Sequence, residues 1–216
     1  MSIINIVCVL KSAGPDSIYT EEWVEKLFNS INRNTTYKIN FYCLTDMNTK
    51  VGIKIPFSNN VGPGWWAKLE LFSIEEFVNV PTLYFDLDTV ICGNIDQIIK
   101  DCISQKNFLM NKGTKGPSSC LMYWNGDYRY LYDDFIKDKD SIIKNYGKSK
   151  GPKLGDQGFI QDNVPFKFIQ SVSHSRFFSY IHRLKNSYTH VRILMFAKRL
   201  HKPHNSDHIL ITENWK

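Results

Sequence analysis

The sequence predicts a single α/β domain over residues 1–216, with a Rossmann-like, mainly parallel sheet flanked by helices. Three observations support this prediction. Ile3–Leu10 is a continuous apolar run, which is typical of a strand buried on both faces. Between Thr20 and Ile31, a threonine that can cap a helix is followed by apolar residues at helical spacing, and the strand-like stretch Lys38–Leu44 comes next. A strand, a helix and a strand in this order indicate a parallel sheet.

The remaining elements continue this alternation. Helices are predicted over Trp65–Phe77 and Asp127–Asn145, and Gly147–Gly155 is predicted to be a flexible loop. The further predicted strands are Val51–Ile55, Val80–Phe85, Asn107–Met110, Cys120–Trp124 and Val191–Phe196. A chain of 216 residues has the length of one domain, and no linker or internal repeat divides it.

The composition is that of an ordinary globular protein, with 43% hydrophobic and 22% charged residues. Its five cysteines are odd in number and show no CxxC spacing, which favours a reducing, cytoplasmic location over a disulfide framework. The apolar N-terminal segment is short and lacks a basic stretch, so we interpret it as a strand and not as a signal peptide. No apolar run reaches about 18 residues, so no membrane span is predicted.

Positive charge is concentrated near the C-terminus. From Pro165 to Lys216, nine Lys and Arg stand against two acidic residues, a net charge of +7, whereas the first 164 residues have a net charge of −1. This asymmetry indicates an anionic partner, such as a phosphate group or peripheral contact with an anionic membrane surface. The alternative is a solvated basic face. Nucleic-acid binding is not expected, because no recognised nucleic-acid-binding motif accompanies the charge.

Two aspartates, Asp86 and Asp88, directly follow the predicted strand Val80–Phe85. In an open α/β sheet, ligands bind beyond the carboxyl ends of the strands. If the chain turns at Leu87, both carboxylates can reach one cation, and Mg²⁺ and Mn²⁺ prefer such oxygen ligands while sharing other positions with substrate phosphates. The pair is therefore the candidate metal site, and the alternative is a solvated junction between a strand and a loop.

The stretch Leu83–Asp96 resembles the DxD region of the glycogenin-like glycosyltransferases of family 8: an apolar strand, Asp-x-Asp-Thr, an apolar pair and Asn-Ile-Asp. Upstream, Gly64–Phe72 resembles the helix of that family that carries a donor-side lysine. Downstream, Ser118–Met122 resembles a family strand, and Gly155–Gly158 resembles the acceptor-side Gly-Asp-Gln element. These elements occur in the family order and extend over residues 3 to about 165.

The resemblance implies a GT-A fold and transfer of a sugar from a nucleotide sugar, a UDP-sugar, to a glycan, lipid or protein acceptor, with Mn²⁺ or Mg²⁺ as cofactor. It assigns Asp156, Gln157 and Lys68 to the reaction centre. It assigns donor binding to Leu10, Lys11, Tyr19, Lys68, Asp86, Ser119 and Lys202. Three tryptophans are candidates for covering sugar faces or for the core: Trp65, Trp66 and Trp124.

The third metal ligand departs from the family pattern. The family supplies a histidine from a segment that ends in Lys-Pro. Here Lys202–His204 keeps that ending, but Ala197 stands where we look for the histidine and Lys198 where we look for a glycine. Either His201 or His204 takes the place of the missing ligand, or the metal has only two protein ligands. A solvated basic tail is the remaining alternative.

Two other functions fit the same motif. Phe85–Val90 also matches the nucleophile motif of haloacid-dehalogenase-type, Mg²⁺-dependent phosphatases, and Asp133–Asp134 would be their acidic pair. In those enzymes the nucleophile strand normally opens the fold, whereas about 80 residues precede the motif here. The second alternative is a non-catalytic protein that binds a nucleotide sugar or a glycan, which the departure at the family histidine suggests.

Overall fold

The computed structural model describes residues 3–13, 17–59, 62–184, 188–196 and 202–216. Its strands are β1 (Ile4–Leu10), β2 (Ile39–Thr45), β3 (Ile53–Ile55), β4 (Thr82–Phe85), β5 (Val90–Ile91), β6 (Phe108–Lys112), β7 (Pro117–Trp124), β8 (Phe166–Phe168), β9 (Phe178–Tyr180) and β10 (Ile193–Met195). Its α-helices are α1 (Glu21–Arg33), α2 (Asp96–Ile103), α3 (Arg129–Lys137), α4 (Lys139–Gly147), α5 (Gly155–Asn163), α6 (Ile169–Val172) and α7 (Ile209–Asn214).

Seven strands form the main sheet, in the order β3-β2-β1-β4-β7-β6-β8. The pairs β3–β2, β2–β1, β1–β4 and β6–β8 are parallel, and β7 runs antiparallel to both of its neighbours. This confirms the predicted α/β class with a mainly parallel sheet. Because Val7 of β1 pairs with Tyr84 of β4, the carboxyl ends of these two strands lie side by side. Ligand sites of open α/β sheets form beyond such ends.

Helices pack on both faces of the sheet. Side chains alternate along β1, so Cys8 joins the core cluster that contains Leu27 of α1, while Val7 joins the cluster on the opposite face. In that second cluster Trp66 stacks on Phe135, with ring centroids 5.5 Å apart. Trp66 is therefore a core residue, as is the fully buried Trp124.

Three predicted elements differ in the structure. The predicted helix Asp127–Asn145 is divided at Asp138 into α3 and α4. The segment Trp65–Phe77 forms two 3₁₀ helices, Gly64–Ser73 and Glu75–Phe77, instead of one α-helix. All residues from Trp66 to Phe72 are buried, so apolar side chains surround the segment and no 3.6-residue pattern could distinguish the two helix types. In addition, β10 forms a separate three-stranded sheet in the order β5-β10-β9.

The described residues contain no helix that is both long and apolar enough to span a bilayer. All five cysteines are free, and Cys8 and Cys43 are buried within the apolar runs in which they occur. The reducing, cytoplasmic location inferred from the cysteines stays a prediction.

Asp96 connects the end of α1 to the start of α2. Its carboxylate accepts hydrogen bonds from Thr35 Oγ1 at 2.6 Å, from the Thr36 N–H at 2.9 Å and from Thr36 Oγ1 at 2.7 Å. Slight burial alone raises the pKa of Asp96, but the bonds from Thr35 and Thr36 outweigh that effect and lower the pKa below its usual value. The aspartate of the Asn-Ile-Asp motif thus has a structural role.

We expect Asp96→Ala to lower the free energy of unfolding by about 1 kcal/mol at pH 7, because the lost hydrogen bonds are partly solvent-exposed. The folded-state pKa lies below the unfolded value of about 3.9. The contribution is therefore present above that pH and is lost as the pH falls through the folded-state pKa. Urea unfolding of wild type and variant at a series of pH values measures this. A difference that stays constant down to about pH 3 would contradict the assignment.

Candidate functional site

The chain turns directly after β4. Leu87 and Asp88 form the turn, and the Thr89 N–H donates to the Asp86 carbonyl at 3.0 Å. Asp86, at the end of β4, and Asp88, in the turn, both border one cavity of about 580 Å³. The turn at Leu87 that the sequence prediction assumed is present.

This cavity, which we call the DxD cavity, lies at the carboxyl ends of β1 and β4. Lys11 and Tyr19 border it from the segment after β1, and Lys68 borders it from the 3₁₀ helix Gly64–Ser73. Trp65, from the same helix, is 55% exposed and also borders it. Four of the seven side chains that the resemblance assigns to the donor thus line this cavity, namely Lys11, Tyr19, Lys68 and Asp86, whereas Leu10, Ser119 and Lys202 do not line it.

Leu10 is placed differently. Its side chain is fully buried in the core cluster that faces α1, and the neighbouring Val9 borders the DxD cavity instead. Consecutive side chains of a strand point to opposite faces, so only one of these two can face the cavity. We therefore replace Leu10 by Val9 among the side chains that line it.

Lys68 is a buried ammonium group that joins three site residues. It is 6% exposed, and its Nζ lies 3.1 Å from Asp86 Oδ1 and 3.3 Å from Asp156 Oδ2. It donates to Ser119 Oγ at 3.1 Å, and this hydroxyl donates to Asp156 Oδ2 at 2.6 Å. Burial alone lowers the pKa of Lys68, but the charges of Asp156 and Asp86 outweigh burial and raise it. Lys68 therefore stays charged.

The predicted Gly-Asp-Gln element begins α5. Gly155 has φ +67°, and a Cβ atom there would lie 2.5 Å from Trp65 Nε1, so this position favours glycine on two grounds. Asp156 follows and is buried against Lys68. Gln157 donates to the Gly151 carbonyl at 3.2 Å and borders a second cavity, which Asp86 also borders.

Lys202 forms an ion pair with Asp88. Asp88 is 5% exposed, and its pKa is raised by burial and by Asp86, while Lys202 opposes the rise. The Lys202 ammonium also lies 5.7 Å from the centre of the Tyr19 ring. Burial and Asp88 raise the pKa of Tyr19 to about 12, so its phenol is protonated at neutral pH. The C-terminal segment thus returns to the carboxyl end of β4.

Tyr84 is a site residue that the sequence reasoning missed. Its hydroxyl donates to the Asp86 carboxylate, and its ring centre lies 5.0 Å from Lys68 Nζ. Burial and the charge of Asp86 raise the pKa of Tyr84, so the hydroxyl remains a donor. The sequence did contain a signal for Tyr84. Residues two apart on an extended strand share a face, so the side chain of Tyr84 is expected to lie next to that of Asp86.

The donor atoms of Asp86 and Asp88 fit a hard divalent cation, because both are carboxylates and both border one cavity. In the described part of the chain, no group of three or more His, Cys, Asp or Glu residues is arranged to hold a metal ion. Two carboxylates are sufficient for Mg²⁺ or Mn²⁺ when phosphate oxygens and water complete the coordination.

Among the described residues, no third protein ligand for a metal is found beside Asp86 and Asp88. His204 is exposed, and its ring packs edge-on against Trp23 of α1 at a centroid distance of 5.4 Å. His201 lies outside the described residues, as do Ala197 and Lys198. The identity of a third ligand stays a prediction.

The acidic pair required by the phosphatase alternative, Asp133 and Asp134, is exposed on α3. Asp134 forms an ion pair there with Lys137 at 2.9 Å. The motif strand β4 is preceded in the chain by β1, β2 and β3, all in the same sheet. The phosphatase alternative therefore receives no support from this arrangement.

Comparison with protein-family models finds no match, and no curated protein matches the sequence. Solved structures do match. The galactosyltransferase LgtC, in complex with donor and acceptor sugar analogues, has a TM-score of 0.66 at 12% identity, over 97% of this chain and 94% of that chain. The glycosyltransferase GlyE of Streptococcus pneumoniae TIGR4 has a TM-score of 0.65 at 13% identity. The match covers 97% of this chain but only 59% of GlyE.

Mouse xyloside xylosyltransferase 1 is a more distant match, with a TM-score of 0.54 at 11% identity, over 90% of this chain and 97% of that chain. At these identities the similarity establishes the fold. The chain has the GT-A glycosyltransferase fold, which confirms the fold class predicted from the sequence.

Proposed function

We propose that this protein is a glycosyltransferase that uses a nucleotide-sugar donor, a UDP-sugar, together with Mn²⁺ or Mg²⁺. The observation that supports this most strongly is the turn after β4. It places the carboxylates of Asp86 and Asp88 on one cavity beyond the sheet, and each carboxylate has a lysine beside it. The cavity volume of about 580 Å³ is also suited to a ligand of nucleotide size.

The donor would occupy the DxD cavity. Val9, Lys11 and Tyr19 form its side next to β1 and would contact the nucleoside. Trp65 offers an exposed aromatic face, on which a sugar or base ring can pack. The LgtC structure, a fold neighbour, holds donor and acceptor sugar analogues, which supports the binding of a sugar donor by this fold.

A divalent cation held by Asp86 and Asp88 would act as a Lewis acid that neutralises the charge of the departing diphosphate. Lys202, which is paired with Asp88, would form charge-assisted hydrogen bonds to the same diphosphate. Lys68 fixes the carboxylates of Asp86 and Asp156 in one arrangement, so little reorganisation is needed when charge develops on the substrate.

The direct test is the reaction itself. Incubation with a panel of UDP-sugars and Mn²⁺ should release UDP above the buffer rate even without an acceptor, because water can replace the acceptor slowly. EDTA should suppress this release, and p-nitrophenyl phosphate should remain intact. Phosphatase turnover that is lost in Asp86→Asn would instead establish the alternative enzyme. A nucleotide sugar that raises the melting temperature without any UDP release, whatever acceptor is added, would indicate a non-catalytic binding protein.

We expect Lys202→Ala to lower kcat/KM for UDP-sugar turnover by roughly one to two orders of magnitude. Each lost charge-assisted hydrogen bond is worth about 1.5–3 kcal/mol, and about 1.4 kcal/mol corresponds to a factor of ten. Lys216→Ala, which removes the same charge from the exposed C-terminus, is the matched control and should behave as wild type. If Lys202→Ala also behaves as wild type, the C-terminal segment is only a basic tail.

A further inference from the structure

A second cavity adjoins the DxD cavity. It has a volume of about 680 Å³, and Asp86 borders both cavities. Gln157 borders the second cavity near the start of α5, and the loop Gly113–Ser118 also borders it, together with Tyr180 and Arg183. If the donor occupies the DxD cavity, the second cavity is where an acceptor hydroxyl can reach the reaction centre, so this inference rests on the proposed function for the position of that centre.

The second cavity continues outwards as a basic groove. Lys115, His182 and Arg183 border it, and a third cavity of about 370 Å³ extends it past Arg183 and adds Lys112. Among the described residues that line these two cavities, Asp86 is the only acidic one, and Lys68 is its ion-pair partner. The outer part of the groove is therefore positively charged.

The loop that carries Lys115 has a defined conformation. The Gly113 N–H donates to the Gly116 carbonyl at 2.7 Å, and a Cβ atom on Gly113 would lie 2.8 Å from that carbonyl oxygen. Arg183 holds the loop from the other side, because its guanidinium donates to the Thr114 carbonyl at 3.3 Å. That bond uses one of the five N–H groups of the guanidinium.

We infer that the acceptor is an acidic saccharide, whose carboxylate or phosphate group is bound by Arg183 and Lys115 while a hydroxyl group faces Asp86 and Gln157. A guanidinium matches both anions in geometry, and the neighbouring ammonium adds charge. The acceptor hydroxyl oxygen forms the new bond to the anomeric carbon of the donor sugar, and the bond from that carbon to the diphosphate breaks. UDP and the hydroxyl proton are released, and the acidic group is unchanged.

The experiment compares matched acidic and neutral saccharides by calorimetry, with UDP and Mn²⁺ present. p-Nitrophenyl glucuronide and p-nitrophenyl glucoside differ only in a carboxylate against a hydroxymethyl group, and glucose 6-phosphate and glucose form the phosphate pair. We expect the acidic member of at least one pair to bind at least about tenfold more tightly at low salt, since a charge-assisted contact exceeds 1.4 kcal/mol. High salt should reduce this preference. The pair that shows it distinguishes a carboxylate from a phosphate acceptor.

The variant Arg183→Gln combined with Lys115→Gln should abolish the preference and leave UDP binding unchanged. Lys54→Gln, on the exposed edge strand β3 at the other end of the sheet, is the control that lowers the charge elsewhere. Acidic members that bind no more tightly than their neutral partners overturn the inference, as does a preference that survives the double variant or is lost in Lys54→Gln. If UDP does not bind but the acidic preference depends on Arg183 and Lys115, the anion site stands and the proposed function fails.

Discussion

Lys68→Met is expected to lower the free energy of unfolding by about 3–5 kcal/mol, because it leaves the buried Asp156 carboxylate without its counter-charge. Asp156 is almost fully buried, and its described partners are the Lys68 ammonium and the Ser119 hydroxyl. Methionine has a similar length, so the loss of charge dominates over the loss of packing. Urea unfolding at neutral pH measures the effect.

A second variant separates stability from function. Adding Asp156→Asn to Lys68→Met removes the uncompensated buried charge and should restore part of the lost stability. It should not restore UDP-sugar turnover, which we expect Lys68→Met to abolish because Lys68 holds Asp86 and Asp156 in place. Lys11→Met is the matched control, because Lys11 borders the same cavity but is more exposed and lies 4.0 Å from its partner Asp46. Such a pair contributes at most about 1 kcal/mol. A loss in Lys68→Met no larger than in Lys11→Met would show that the buried ion pairs do not stabilise the fold.

The sequence identified the acidic pair Asp86 and Asp88, but it did not show which side chains surround the pair. Residue type and spacing alone predicted that Asp86 and Asp88 share a cavity if the chain turns, because a buried strand has to end where two charges follow it. Only the family resemblance identified Lys68 as a candidate site residue. Its partners, Asp156 and Ser119, lie 88 and 51 residues further along the chain, and no local pattern relates positions so far apart.

Side-chain direction was harder to predict than element type. The first strand is buried on both faces, so its sequence has no alternation that could show whether Val9 or Leu10 lines the DxD cavity. Tyr84 and Asp86, in contrast, are two apart on one strand and share a face. The hydrogen bond between them was therefore predictable from the pleat of the strand.

Of the small sheet, only β10 was predicted, within the strand Val191–Phe196, and the sheet itself was not predictable from periodicity. Its strands β5, β9 and β10 have only two or three residues each, which is shorter than the four to eight over which alternation gives a signal. β10 pairs with β5, the strand that directly follows the DxD turn, although about 100 residues separate Ile193 from its partner Ile91. This pairing also brings Lys202 to Asp88, a contact that depends on tertiary structure alone.

Asp88→Asn is expected to abolish the effect of Mn²⁺ on UDP binding. Asp88 is buried beside the DxD cavity, and asparagine keeps its shape while removing the negative charge that a hard cation requires. In wild type, EDTA should weaken UDP binding roughly 100-fold, which corresponds to about 2.8 kcal/mol. In Asp88→Asn, calorimetry should give the same weak affinity with Mn²⁺ and with EDTA.

Lys202 determines what remains of UDP binding in this variant. Without the carboxylate at position 88, the Lys202 ammonium loses its ion-pair partner and becomes available to the diphosphate. The residual, metal-independent affinity of Asp88→Asn should therefore fall further when Lys202→Ala is added. Asp207→Asn, which removes an exposed acidic charge from the same C-terminal segment, is the control and should keep the full response to Mn²⁺. UDP binding that is insensitive to both the chelator and Asp88→Asn would mean that the two carboxylates hold no metal, and that lysines alone bind the diphosphate.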